Sequence, residues 1–112
     1  MKGTEQRQQQ IREIVGCIRD RYQPERIVLF GSYAWGEPDR GSDVDLLILK
    51  RTDARPLDRR VEVSRLLDIR DPAYPPVETW VITPGELEHA VRIRHPLTRQ
   101  VMKRGEVLYE SN

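Results

Sequence analysis

Two aspartates, Asp43 and Asp45, open an apolar run that ends at Leu49, and the pair Gly31-Ser32 closes an earlier apolar run, Arg26 to Phe30. In a strand, residues i and i+2 project from one face, roughly 6.6 Å apart at about 3.3 Å per residue. Asp is depleted in strands. Two carboxylates this close repel unless a cation lies between them or one takes a proton. Hard divalent cations such as Mg²⁺ take oxygen ligands, commonly one or two carboxylates together with substrate phosphates and water. The acid pair therefore predicts a divalent-metal site, with Asp43 and Asp45 as ligands.

Gly31-Ser32 admits fewer readings than its composition suggests. Gly31 and Gly36 have G-x-x-x-x-G spacing, but Glu37-Pro38 follows where a P-loop requires Lys and Ser or Thr, which excludes that motif. No G-x-G-x-x-G occurs, so a dinucleotide fold has no support. Two readings stay open: a plain turn, or a turn whose glycine lets a phosphate approach backbone N–H groups while the Ser32 hydroxyl adds a donor. A metal centre of two ions calls for a third acid. Glu78 is the candidate, provided the strand that carries it lies beside the Asp45 strand in register at its start.

The elements that must position these groups follow from periodicity. Ile11, Ile14, Val15, Ile18 and Tyr22 make one apolar stripe on a helix over 4–22, ended by Gln23-Pro24. Cys17 lies off the stripe's centre and reads as a structural thiol. Ile27 to Phe30 is apolar on both faces, as an interior strand covered by helices would be. A short helix starts at Ser32 and stops at Gly36 and Pro38, and a polar loop carries Asp39 and Arg40 to Ser42. Val44 to Leu49 is the second strand, with Asp43, Asp45, Leu47 and Leu49 on one face and Val44, Leu46 and Ile48 on the other.

Pro56 introduces a weaker helical pattern, Leu57, Val61, Val63, Leu66, Leu67 and Ile69, over 56–69. VETWVIT, residues 77–83, is the third strand by β-branched and aromatic content, with Glu78, Trp80 and Ile82 on one face. Trp80 is either core or a wall of a ligand pocket. Thr83-Pro84-Gly85-Glu86 has the capping-box form. The helix it starts is interrupted at His95-Pro96, resumes to Gly105, and leads into a short last strand around Val107 to Tyr109. His89 and His95 are six apart and share no helical face, which argues against a paired metal site. Arg40 and Lys50 read as solvated surface rather than phosphate ligands.

The totals narrow the class. A chain of 112 residues is the size of one domain, 1–112, with room for one core. Charged residues reach 33%, yet the net charge is +1, so nothing in the overall charge points to nucleic acid or an anionic membrane. The basic residues are arginine except Lys2, Lys50 and Lys103. One cysteine excludes an internal disulfide and a Cys-rich zinc site. With no signal-like or membrane-spanning run, a cytoplasmic protein is expected.

Gly31, Ser32, ten residues, Asp43, Val44, Asp45 resembles the G-S-x10-D-x-D signature of the nucleotidyltransferase superfamily that includes DNA polymerase beta. The segments V-E-T-W-V-I-T-P-G-E-L-E and K-R-G-E-V-L-Y-E are similar to the stand-alone minimal nucleotidyltransferase group, so the likeness spans nearly the whole chain. The resemblance implies an α/β fold, a mixed sheet of three to four strands flanked by helices. It implies transfer of an NMP, AMP from ATP foremost, to a hydroxyl acceptor, with two Mg²⁺ ions. Terminal phosphates would lie at Gly31-Ser32 and the α-phosphate over Asp43 and Asp45, with Glu78 as further ligand or base. It also implies a helical HEPN-type partner in a toxin-antitoxin pair, the transferase being the antitoxin. Two departures mark this chain: the third acid is Glu78 where Asp is usual, and Trp35 stands where relatives often carry Arg. They favour the alternative of a nucleotide- or partner-binding module with a degenerate site.

Overall fold

The computed structural model describes residues 5–36, 38, 41–67 and 71–111. Asp39, Arg40 and Ile69 lie outside the described residues. Among the described residues, α1 (Glu5–Tyr22), β1 (Arg26–Phe30), α2 (Ser32–Trp35), β2 (Val44–Leu49), α3 (Pro56–Leu67), β3 (Val77–Ile82), α4 (Pro84–Arg92), α5 (Pro96–Arg104) and β4 (Glu106–Glu110) follow in chain order. The four strands form one mixed sheet in the order β3-β2-β1-β4. β1 runs antiparallel to both neighbours, and β2 and β3 are parallel. The expected α/β architecture is present, with β1 and β2 as the interior strands.

Strand alternation sorts the core into two layers. Ile27, Leu29, Val44, Leu46 and Ile48 face one way and pack with Ile11, Ile14, Ile18 and Tyr22 of α1 and Val63 of α3. Val28, Leu47, Leu49 and Ile82 face the other way and pack with Val101 of α5 and Leu87 of α4. Continuous apolar strands such as LLIL are the expected consequence of helices on both sheet faces. Cys17 donates its thiol to the Leu66 carbonyl at 3.5 Å and ties α1 to α3, in keeping with a structural thiol.

Helix α3 departs from the apolar pattern read from its sequence. Leu57 is 70% exposed and Val61 41% exposed, while Arg59 is buried beside Val63. The guanidinium is engaged there: it donates from Nε to the Ala54 carbonyl at 2.7 Å and from Nη1 to the Val81 carbonyl at 3.2 Å and Oε1 of Glu86 at 2.7 Å. A buried charge that is paired and hydrogen-bonded is tolerated where an unpaired one is not. Glu86 is also the acid of the capping box: its Oε1 accepts from the Thr83 N–H at 2.8 Å, and Thr83 Oγ1 accepts from the Glu86 N–H at 3.2 Å.

Candidate active site

The end of β1 and the beginning of β2 lie side by side because the two strands are antiparallel. Phe30 is opposite Asp45 on that side. On the other side the parallel register pairs Asp45 with Glu78, so the condition set on Glu78 from the sequence is met. Neighbouring strands are about 4.8 Å apart, so the two acids are carried on adjacent backbones. Asp43 is half-buried just ahead of β2, Asp45 is half-buried within it, and Glu78 is exposed.

Burial raises the Asp45 carboxyl above the usual aspartate range, and the charges of Asp43 and Glu78 raise it further. Asp45 thus carries the electrostatic strain of the group. Glu78, however, points to solvent and accepts from the Arg60 guanidinium at 3.1 Å. Among the described residues no three His, Cys, Asp or Glu side chains converge into a ready metal-binding group. The aspartate pair suits a Mg²⁺ ion, which needs only one or two protein carboxylates and whose charge would relieve the repulsion felt at Asp45.

Gly31 is positioned by the same strand end. Its φ of 76° and ψ of −160° lie where only glycine is at ease. A Cβ there would overlap Oδ2 of Asp45 and lie 3.1 Å from its Cγ, so the aspartate fills the space a side chain would need. The Gly31 carbonyl accepts from the N–H groups of Ala34 and Trp35, both at 3.0 Å. Gly36, in the left-handed region at φ 86°, donates to the Ser32 carbonyl and closes α2 after one turn. Ser32 is half-buried at the start of that turn.

The structure also locates the other residues singled out from the sequence and adds one, Arg104. Trp80, two residues after Glu78 on the same strand face, packs on the second core layer and meets the His95 ring at 6.0 Å between centroids. Of the two readings of Trp80, the structure supports core. His95 caps α5, its Nδ1 accepting from the Thr98 N–H at 3.4 Å, while His89 lies within α4. Arg104, at the last turn of α5, sets its guanidinium 4.8 Å from the Trp35 ring centroid. Lys50 belongs elsewhere: at the far end of β2 it donates to the Tyr22 carbonyl at 2.5 Å and lies over the Tyr22 ring. A groove of about 500 Å³ between α1 and β4, lined by Ile11, Val15, Leu29 and Leu108, is lined by none of Asp43, Asp45 and Glu78.

Comparison with known proteins gives this arrangement its class. The nucleotidyltransferase domain model matches residues 11–104. The chain belongs to the nucleotidyltransferase domain family. Nucleotidyl transfer is therefore its chemistry. It is 31% identical over 101 residues to a candidate protein adenylyltransferase of Methanocaldococcus jannaschii, a match covering 88% of this chain and 94% of that relative. The fold is also that of a candidate nucleotidyltransferase from Sulfolobus solfataricus, with a TM-score of 0.64 at 24% identity over 94% of this chain and 81% of that one. A toxin-antitoxin structure with AMP-PNP matches with a TM-score of 0.58 at 23% identity, over 92% of this chain and 74% of that one. The complex of a tri-AMPylated Shewanella oneidensis HEPN toxin with its MNT antitoxin matches at 0.52 and 20% identity, over 94% and 73%. Among the described residues no helix is long and apolar enough to cross a membrane.

Proposed function

We propose that this chain moves AMP from ATP to a hydroxyl on a helical HEPN-type partner protein, acting as the antitoxin of a toxin-antitoxin pair in the cytoplasm. The observation that carries the reading is the alignment, at one end of the sheet, of Gly31 against Asp45 and of Asp45 beside Glu78. The adenylyltransferase relative supports AMP as the group transferred. The toxin-antitoxin neighbours share the fold and motivate the choice of partner.

Asp43 and Asp45 would hold Mg²⁺, which when bound neutralises charge on the phosphates and sharpens the nucleophile. Gly31 and Ser32 offer backbone N–H groups and a hydroxyl to the terminal phosphates, so that the α-phosphorus faces the aspartates. The partner's hydroxyl oxygen attacks that phosphorus, the bond to the β-phosphate oxygen breaks, and pyrophosphate leaves. Glu78, once it parts from Arg60, would take the hydroxyl proton.

The engagement of Glu78 by Arg60 also favours a second reading, a nucleotide- or partner-binding module without turnover. One experiment separates the two. The protein is incubated with α-labelled ATP, Mg²⁺ and the product of the neighbouring gene. Label should pass to the partner and vanish in Asp43→Asn and Asp45→Asn. Partner binding that survives both substitutions, with no label transferred by the unaltered protein, rejects the enzyme reading.

A further inference from the structure

We propose that Arg104 is a phosphate ligand for the nucleotide, delivered to the Gly31-Ser32 turn from the end of α5 and held over Trp35 until a triphosphate arrives. This rests on the reading that the distal phosphates bind at that turn. Three features of the structure support it. β4 is antiparallel to β1 and its first residue, Glu106, pairs with Leu29 near the end of β1, so α5, which ends at Arg104, delivers the chain to the sheet close to the strand end that leads into Gly31. Gly105 shows how close the approach is, since a Cβ there would lie 2.7 Å from Cγ1 of Val28 and 3.3 Å from the Leu29 carbonyl oxygen. The end of α5 is thus set against the strand end that carries Gly31, on the side away from Asp45.

The second feature is the platform. Trp35 lies three residues after Ser32 in a one-turn helix, so the two side chains share a face. Its indole packs on the core, and its Nε1 is buried without a hydrogen-bond partner among the described residues. An indole fixed by packing presents its ring face, and the Arg104 guanidinium lies over it with Cζ 4.8 Å from the centroid. The third feature is availability. Arg104 is exposed and forms no ion pair with a carboxylate among the described residues. An exposed cation–π contact is weak, whereas a guanidinium and a phosphate make bidentate, charge-assisted hydrogen bonds. The phosphate would therefore draw the guanidinium from the indole. Arginine at a helix C-terminus also suits the helix dipole, a purely structural role that the test must separate from phosphate binding.

The test compares binding of ATP and AMP by calorimetry in the unaltered protein, Arg104→Ala, Arg104→Gln and Arg104→Lys, with Trp35 fluorescence followed in a Trp80→Phe background. Loss of one charge-assisted contact predicts that Arg104→Ala and Arg104→Gln weaken ATP about tenfold or more. AMP affinity should hold, Arg104→Lys should recover part of the loss, and the Trp35 response to ATP should disappear with the guanidinium. An ATP preference that survives Arg104→Ala and Arg104→Gln overturns the proposal alone. Equal loss for ATP and AMP, with a lower melting temperature, assigns Arg104 to helix stability and also overturns it. An unaltered protein that binds ATP no more tightly than AMP overturns the phosphate turn itself, and this proposal with it.

Discussion

Replacing Gly31 with alanine should damage both stability and transfer, and Gly36 supplies the control. At Gly31 the backbone (φ 76°, ψ −160°) is in a region essentially restricted to glycine, where another residue costs about 1–3 kcal/mol. At Gly36 the left-handed conformation (φ 86°) costs an alanine about 1–2 kcal/mol, and an added Cβ meets nothing within 4 Å. The backbone terms are therefore similar, and the difference is Asp45. A Cβ on residue 31 overlaps Oδ2, so the carboxylate must rotate away from its place beside the Gly31 turn. For a chain of this length 1 kcal/mol is worth about 4 °C in Tm. Gly36→Ala should thus lower Tm by about 4–8 °C with transfer intact. Gly31→Ala should lower it further and reduce transfer by roughly a hundredfold, the cost of about 1 Å of misplacement at a reacting centre.

The assay pairs thermal melting with label transfer to the partner, and repeats both glycine substitutions in an Asp45→Ala background. There only the Asp45 Cβ remains, 3.3 Å from the new methyl, so the extra stability cost of Gly31→Ala should fall toward that of Gly36→Ala. Coupling of this kind is what a double-mutant cycle measures between touching residues. The reasoning is refuted if Gly31→Ala transfers label as well as Gly36→Ala does, or if its stability cost is the same with and without the Asp45 carboxylate.

Arg60→Gln should release Glu78 and, if that acid is a metal ligand, tighten Mn²⁺ binding by up to about fivefold, the worth of an exposed ion pair; no change in titrations of Arg60→Gln and Glu78→Gln removes Glu78 from the ligand set. Arg59→Met should destabilise by about 1–3 kcal/mol in denaturant melts, because the buried Val81 carbonyl and the Glu86 carboxylate lose their donor. A variant as stable as the unaltered protein would show that α3 is not anchored through this residue. The Arg59 hydrogen bond, helped by Thr83, holds the Glu86 carboxyl below the usual glutamate range. Such a group stabilises the fold above its unfolded pKa and loses that contribution as pH falls through the lower folded value. The Tm gap between the unaltered protein and Glu86→Gln should therefore be constant above about pH 5 and shrink below about pH 4, and a gap that widens in acid would reverse the assignment.

The sequence by itself determined the elements and the chemistry they carry. Alternation along Val44 to Leu49 decides that Asp45 shares a face with Leu47 and Leu49, because side-chain direction in a strand follows parity alone. The T-x-x-E box at Thr83 names its own hydrogen bonds, since both partners lie within one turn. Spacing from Gly31 to Asp45 carried the family. What only the tertiary structure decided involves partners distant in the chain. Parity alone left open that β3 pairs with β2 so that Glu78 meets Asp45, since register is settled when both strands bury their apolar faces against shared helices. Leu57 and Arg59 exchange the places that hydropathy assigns them because carbonyls of a loop and of β3 await a donor at Arg59. The attachments of Arg60 to Glu78 and of Arg104 to Trp35 join long, flexible side chains across different elements. No local period encodes such contacts, and they exist only once the sheet has brought its far-flung ends together.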